Sequence, residues 1–118
     1  MSNGRALGMS GEEAAVAYLQ KTKYRIINRG FRFHRGEIDI IAYDKDILVF
    51  VEVKTRRSSD FGLPEEAVTP LKQRQIRKLA EAYLMLNGLG DTPCRFDILS
   101  IFSDGQQGCR IRHITDAF

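Results

Sequence analysis

Read for period alone, the chain opens on a helix. From Leu7 to Lys21 apolar residues recur at helical spacing, with Ala15, Val16 and Leu19 on one stripe. Ser10 and Glu13 are spaced as a capping box for a start inside that segment. The period then drops to two. YRIINRGFRF (24–33) alternates bulky and basic side chains around Gly30, and EIDIIAY (37–43) and ILVFVEVKT (47–55) are apolar runs joined by DKD at 44–46. These three segments predict an antiparallel meander. The next connection, Arg56 to Thr69, is about 14 residues, long for a compact domain and a candidate functional element. Thr69 as N-cap and Pro70 at the first helical position predict a second helix to about Asn87, where NGLG stops it. Its apolar stripe is Ile76, Leu79, Ala80, Tyr83, Leu84 and Leu86. Strands at 94–102 and 108–114 follow, on either side of SDGQQG. The order αβββαβ plus a short end predicts one α/β domain over 1–118, a mixed β-sheet of about five strands flanked by helices.

Charges interrupt this pattern where a covered sheet should be apolar. Side chains two apart share a strand face, so Glu52 and Lys54 project with Leu48 and Phe50, while Val49, Val51 and Val53 occupy the other face. Such a strand is covered on both sides and ends in something polar. By the same rule Glu37 and Asp39 share a face, opposite Ile38 and Ile40. If the second and third strands pair as a hairpin, Asp39 and Glu52 converge, with Lys54 about 7 Å along from Glu52. For any one of these residues, a salt bridge at a fraying hairpin end is the commoner meaning. The combination points elsewhere. Carboxylates buried together are costly without a cation, and oxygen-rich clusters suit Mg²⁺, Mn²⁺ or Ca²⁺. Glu12 also falls on the inward stripe of the first helix, either as an end residue reaching solvent or as a further member of the site.

Composition changes little. The 118 residues, 43% hydrophobic and 28% charged, suit one ordinary soluble domain, and the net charge of +3 permits a polyanionic partner without demanding one. No apolar run reaches membrane-spanning length and the N-terminus lacks a secretory layout, so a cytoplasmic protein without a membrane partner is expected. Cys94 and Cys109 are too few for a disulfide framework or a thiolate metal site and are expected to be buried as small apolar residues. His34 and His113 are too isolated to be ligands; surface or hydrogen-bonded roles are the default.

The spacing Asp39-(x)₁₂-Glu52-Val53-Lys54 resembles the core of the PD-(D/E)xK nuclease superfamily. A wider set (GEEAAVAYL, GEIDIIAYD, LVFVEVKTRR, FGLPEEAVTPLKQRQI, CRFDI and IRHITDAF) resembles the YraN-like family of uncharacterised bacterial proteins over nearly the whole chain. That family is viewed as a distant relative of archaeal Holliday junction resolvases. The resemblance implies a restriction-endonuclease-like core with the catalytic set Glu12, Asp39, Glu52 and Lys54. Ile38 stands where the superfamily has its namesake proline. Asp39, Glu52 and the Val53 carbonyl become the ligands of Mg²⁺ or Mn²⁺, with Glu12 on the same ion through water or on a second ion. Glu37 points the same way as Asp39 but is displaced along the strand, behind the direct ligands in rank. Gln73 is either a contact to the water or phosphate or, more commonly for a glutamine, part of a solvated face. The implied activity is metal-dependent endonucleolytic hydrolysis of DNA, branched or junction DNA included, by a homodimer. The alternative is a non-catalytic nucleic-acid-binding or adaptor protein that keeps the fold. Arg29, Arg32 and Arg35 before the site, Arg56 and Arg57 after it, and Lys72 beyond the long connection are the candidate phosphate contacts; Arg74, Arg77 and Lys78 are better read as a solvated helix face. Phe61 is better read as an anchor for its own loop than as a stacker of bases.

Overall fold

The computed structural model of the chain describes residues 11–57, 68–103 and 109–118, without the side chains of Arg57 and Ser103. The helix start at Leu7, the Ser10 cap and Phe61 lie outside these residues. In chain order the described elements are α1 (Gly11–Lys21), β1 (Arg25–Phe33), β2 (Gly36–Asp44), β3 (Ile47–Arg57), α2 (Pro70–Leu86), β4 (Cys94–Ser103) and β5 (Cys109–Ile114). The strands lie side by side in sequence order. All neighbours are antiparallel except β3 and β4, which are parallel, so that α2 forms the crossover that parallel strands require. The mixed sheet with helices packed on it is the architecture that the pattern predicts.

Local chemistry accounts for the elements. The two hairpin turns take left-handed backbone at their first residue, His34 (φ 56) and Lys45 (φ 58), which matches the twist of paired strands. The Thr69 hydroxyl accepts from the Lys72 N–H at 3.2 Å and Pro70 follows, so α2 starts where expected. Its inward residues Ile76, Leu79, Ala80 and Tyr83 pack on Ile38, Ile41, Leu48, Phe50, Phe96 and Ile98. On the other face Ala15 and Leu19 of α1 cover Ile40, Ala42, Val49, Val51, Leu99 and Ile101. β3 is therefore covered on both sides. Each fully buried aliphatic or aromatic side chain contributes roughly 1.5–3 kcal/mol, which fixes β3 as the rigid centre of the sheet. Among the described residues no helix is long and apolar enough to cross a membrane.

Three expectations need correction. Cys94 and Cys109 are exposed, because each opens a strand at its uncovered end. Leu86 is also exposed; Leu89, folding back after the helix stop, packs on the α2-side cluster in its stead. Ile38 and Ile40, which a regular pleat puts on one face, go to opposite clusters.

The cause of this last change lies at Asp39. Pairing of β2 with β3 ends at Ile40↔Val51. On the β1 side the pairs Arg29↔Ile40 and Phe31↔Ile38 leave Gly30 across from Asp39, and Gly30 has left-handed backbone, φ 67. The sheet bends at this point and β2 leaves β3. Only glycine takes this conformation without cost. Gly30→Ala is expected to destabilise the fold by about 1–2 kcal/mol, since the new Cβ also stands 3.1 Å from Glu37 Oε2. Thermal denaturation should show a melting temperature lower by roughly 5 °C.

Candidate metal and nucleic-acid site

At the fork a side chain takes over from the backbone ladder. The Val53 N–H donates to Asp39 Oδ2 at 2.8 Å, which ties the Asp39 carboxyl to β3 just where β2 separates from it. Glu52 adjoins Val53 on β3 and is buried, 6% exposed. Both Lys54 Nζ, at 3.6 Å, and Lys72 Nζ, at 3.8 Å, stand on its Oε2. Lys72 comes from the first turn of α2. The predicted convergence of Asp39, Glu52 and Lys54 is present, with Lys72 added.

The electrostatics of the pair are unfavourable in a specific way. Burial pushes the Asp39 carboxyl above the usual range, and Glu12 and Glu37 push it further, against the Val53 N–H and Lys72. Burial and then Asp39 raise Glu52, against Lys72 and Lys54. Two lysines thus leave a carboxylate pair, Glu52 buried and Asp39 half-buried, that still favours taking up positive charge. That donor chemistry fits a hard divalent cation. Two donors are an incomplete set, however: among the described residues no three His, Cys, Asp or Glu side chains form a group able to hold a metal.

Glu12, the third carboxylate named from sequence, stands apart from the pair. Gly11 brings the start of α1 so close to β3 that a Cβ on it would overlap the Thr55 hydroxyl, which places Glu12 within electrostatic reach of Asp39. Its carboxylate turns to Arg29, with Nε 3.4 Å from Oε2, and both side chains are substantially exposed. Glu12 therefore stands at the rim of the site.

The remaining candidates divide. Glu37 acts on Asp39 through its charge, and Arg32 Nη2 lies 3.8 Å from its Oε1. Gln73 is half-buried and donates through Nε2 to the Val68 carbonyl at 3.0 Å, so it holds the start of α2 and is neither a solvated residue nor aimed at the pair. Lys72 is committed to Glu52, although its exposure leaves it free to reach a phosphate. Arg35 is exposed at the hairpin tip, and Arg56 is half-buried and engaged by neighbours. The Arg57 side chain lies outside the description. Arg74, Arg77 and Lys78 are exposed, as a solvated helix face requires, and Arg77 also lies over the rings of Phe96, at 4.8 Å, and Phe118, at 5.8 Å.

Asp39 also opens onto a cleft of about 640 Å³. The β1–β2 hairpin tip, Phe33 to Glu37, forms one wall, and Lys72, Gln75 and Lys78 of α2 form the other. Sequence reasoning missed this cleft, because nothing local sets the distance between the hairpin tip and α2.

A second polar cluster lies on the α1 side of the sheet. Asp97 is completely buried, yet Arg95 donates to both its oxygens at 2.9 and 3.0 Å, His113 Nε2 lies 2.7 Å from Oδ2, and the Asp116 N–H donates to Oδ1 at 3.0 Å. Arg95 also donates to Asp44 at 3.0 Å and to the Tyr24 hydroxyl at 2.7 Å. These partners outweigh burial and hold the Asp97 carboxyl below its ordinary value. The cluster joins β2, β4, β5 and the C-terminal residues. His113 is thus hydrogen-bonded, as expected of an isolated histidine. The available signal was Arg95 and Asp97, two apart on one strand face.

Comparison with known proteins gives one family. A family model described as uncharacterised protein family UPF0102 matches residues 11–101. A UPF0102 protein of Geobacter sulfurreducens is 51% identical over 116 residues, covering 98% of this chain and 91% of that protein. A UPF0102 protein of Symbiobacterium thermophilum is 49% identical, with 97% of each chain covered. One from Prosthecochloris aestuarii is 48% identical, covering 95% of this chain and 92% of its own length.

Proposed function

The chain belongs to the uncharacterised protein family UPF0102, the YraN-like family that its motifs resemble, and from that premise we propose that it is a metal-dependent endonuclease hydrolysing phosphodiester bonds in DNA. One observation carries the reading: the fork at Asp39, where a broken ladder leaves a half-buried carboxylate that opens onto a cleft, beside the buried Glu52 and its Lys54. A purely structural hairpin end gains nothing from placing such a pair together.

Asp39 and Glu52 would hold Mg²⁺ or Mn²⁺, with the Val53 carbonyl beside them and Glu12 reaching the ion through water once it leaves Arg29. The ion, when bound, supplies a more acidic water and stabilises charge on the phosphate and leaving oxygen. The chain's own groups do the rest. Lys54, relieved of Glu52, orients or deprotonates the attacking water, or meets the charge that develops at phosphorus. Lys72, relieved of the same carboxylate, takes a non-bridging phosphate oxygen. Glu37 adds negative charge next to Asp39, which favours the cation. Arg35, with Arg56 and Arg57 at the end of β3, extends the contacts to flanking phosphates. Branched DNA as substrate and a two-fold homodimer follow from the likeness to junction resolvases, in which two symmetric strands are cut.

A second reading is a nucleic-acid-binding or adaptor protein without turnover. The observation in its favour is that Lys54 and Lys72 already neutralise Glu52 while Glu12 is engaged by Arg29. Incubation of wild type with duplex, single-stranded, flap and four-way DNA in Mn²⁺, beside Lys54→Ala, separates the two. The nuclease reading expects cleavage of at least one substrate by wild type, and a rate lower by at least about 10²-fold for the variant. No cleavage by wild type with binding intact would establish the second reading.

A further inference from the structure

The hairpin wall of the cleft beside Asp39 carries two aromatic residues, Phe33 and His34, that hydrolysis does not use. Along β1, Ile27 and Phe31 pack against the α2-side core. Phe33 continues that face past the end of the covered sheet and is 36% exposed, high for a phenylalanine. The His34 ring meets it edge-on, with centroids 4.3 Å apart and planes at 74°. Both residues line the cleft, with Arg35 next to them and Lys78 on the facing wall. The Phe33 ring is thus held by its own hairpin and presented to the cleft, flanked by cations.

We infer that the β1–β2 hairpin tip is a stacking platform for an unpaired base, so that the substrate is DNA with single-stranded character next to the phosphate that is cut; this rests on the nucleic-acid reading of the site. Phe33 pairs with Gly36, three residues before Asp39, which sets the ring about 10 Å from the carboxylate pair along the strand. A base in a duplex has both faces covered by its neighbours. Only an unpaired base offers a face to an aromatic ring, and every base has such a face, so the contact selects strand structure and tolerates sequence. Arg35 and Lys78 meet the backbone on either side.

Fluorescence anisotropy in EDTA tests this without turnover, using a labelled single-stranded oligonucleotide and a blunt duplex. Phe33→Ala is expected to weaken single-strand binding about tenfold and leave duplex binding unchanged, while Phe33→Trp keeps wild-type affinity. Because Phe33 lies at a partly exposed tip, each variant should melt close to wild type. Equal single-strand affinity for wild type and Phe33→Ala would overturn the inference, as would equal losses on both substrates or a wild type that binds neither. Selective loss of single-strand binding by a protein that cuts nothing would support the platform while ending the nuclease reading.

Discussion

Asp39→Asn is expected to reduce Mn²⁺-supported DNA cleavage by at least about 10²-fold and, in metal-free solution near neutral pH, to raise the melting temperature. The two effects have one origin. Burial, then Glu12 and Glu37, hold the Asp39 carboxyl above its usual range. Its ionisation therefore opposes folding. That destabilisation is fully present above the raised folded value, fades as pH falls through it and is gone below the unfolded value. Asparagine removes the charge, and its amide oxygen still accepts from the Val53 N–H. The thermal advantage of Asp39→Asn should accordingly shrink as pH is lowered, which differential scanning at several pH values would read. Loss of cleavage together with loss of stability would instead make Asp39 a structural residue.

Asp97→Asn is expected to act in the opposite sense, costing about 3–5 kcal/mol and lowering the melting temperature by roughly 10 °C or more. Asp97 is wholly buried, and neutralising it removes the closer of the two carboxylates on the Arg95 guanidinium, leaving the more exposed Asp44 alone to balance that charge. The pH dependence also reverses. Burial pushes the Asp97 carboxyl up, but His113, Arg95 and the Asp116 N–H more than offset this and hold it low in the folded state. Its contribution is therefore present above the unfolded carboxylate value and is lost as pH falls through the lowered folded value. Urea midpoints measured from neutral to acid pH should fall steeply for wild type and less steeply for Asp97→Asn. A variant as stable as wild type would mean that the network is replaceable by ordinary hydrogen bonds.

The contrast between these carboxylates shows what the sequence can and cannot reveal. The strands, the α2 start at Thr69–Pro70 and the double cover on β3 follow from local period and capping chemistry, and all are legible. So is the meeting of Asp39 with Glu52 and Lys54, because hairpin pairing and a period of two dictate it. The bend at Asp39 is not. It depends on left-handed backbone at Gly30, on the neighbouring strand, and it sends Ile38 and Ile40 to opposite faces. Lys72 reaches Glu52 only through the packing of α2 on the sheet after a long connection, so its assignment to phosphate alone misses its first partner. Glu12 reads as an inward residue from helical period, and its engagement by Arg29 depends on how the first strand passes the helix start. The exposed cysteines fail for a simpler reason: residue type predicts burial, and position at a strand end decides it.

Everything argued for the site comes down to whether Asp39 and Glu52 take up a cation. Calorimetric titration of Mn²⁺ into the metal-free protein near neutral pH, for wild type and Asp39→Asn in parallel, measures this directly. The account predicts saturable binding by wild type, weakening as the pH falls into the raised carboxylate range, and none by Asp39→Asn. No binding by wild type, or equal binding by both proteins, would contradict it.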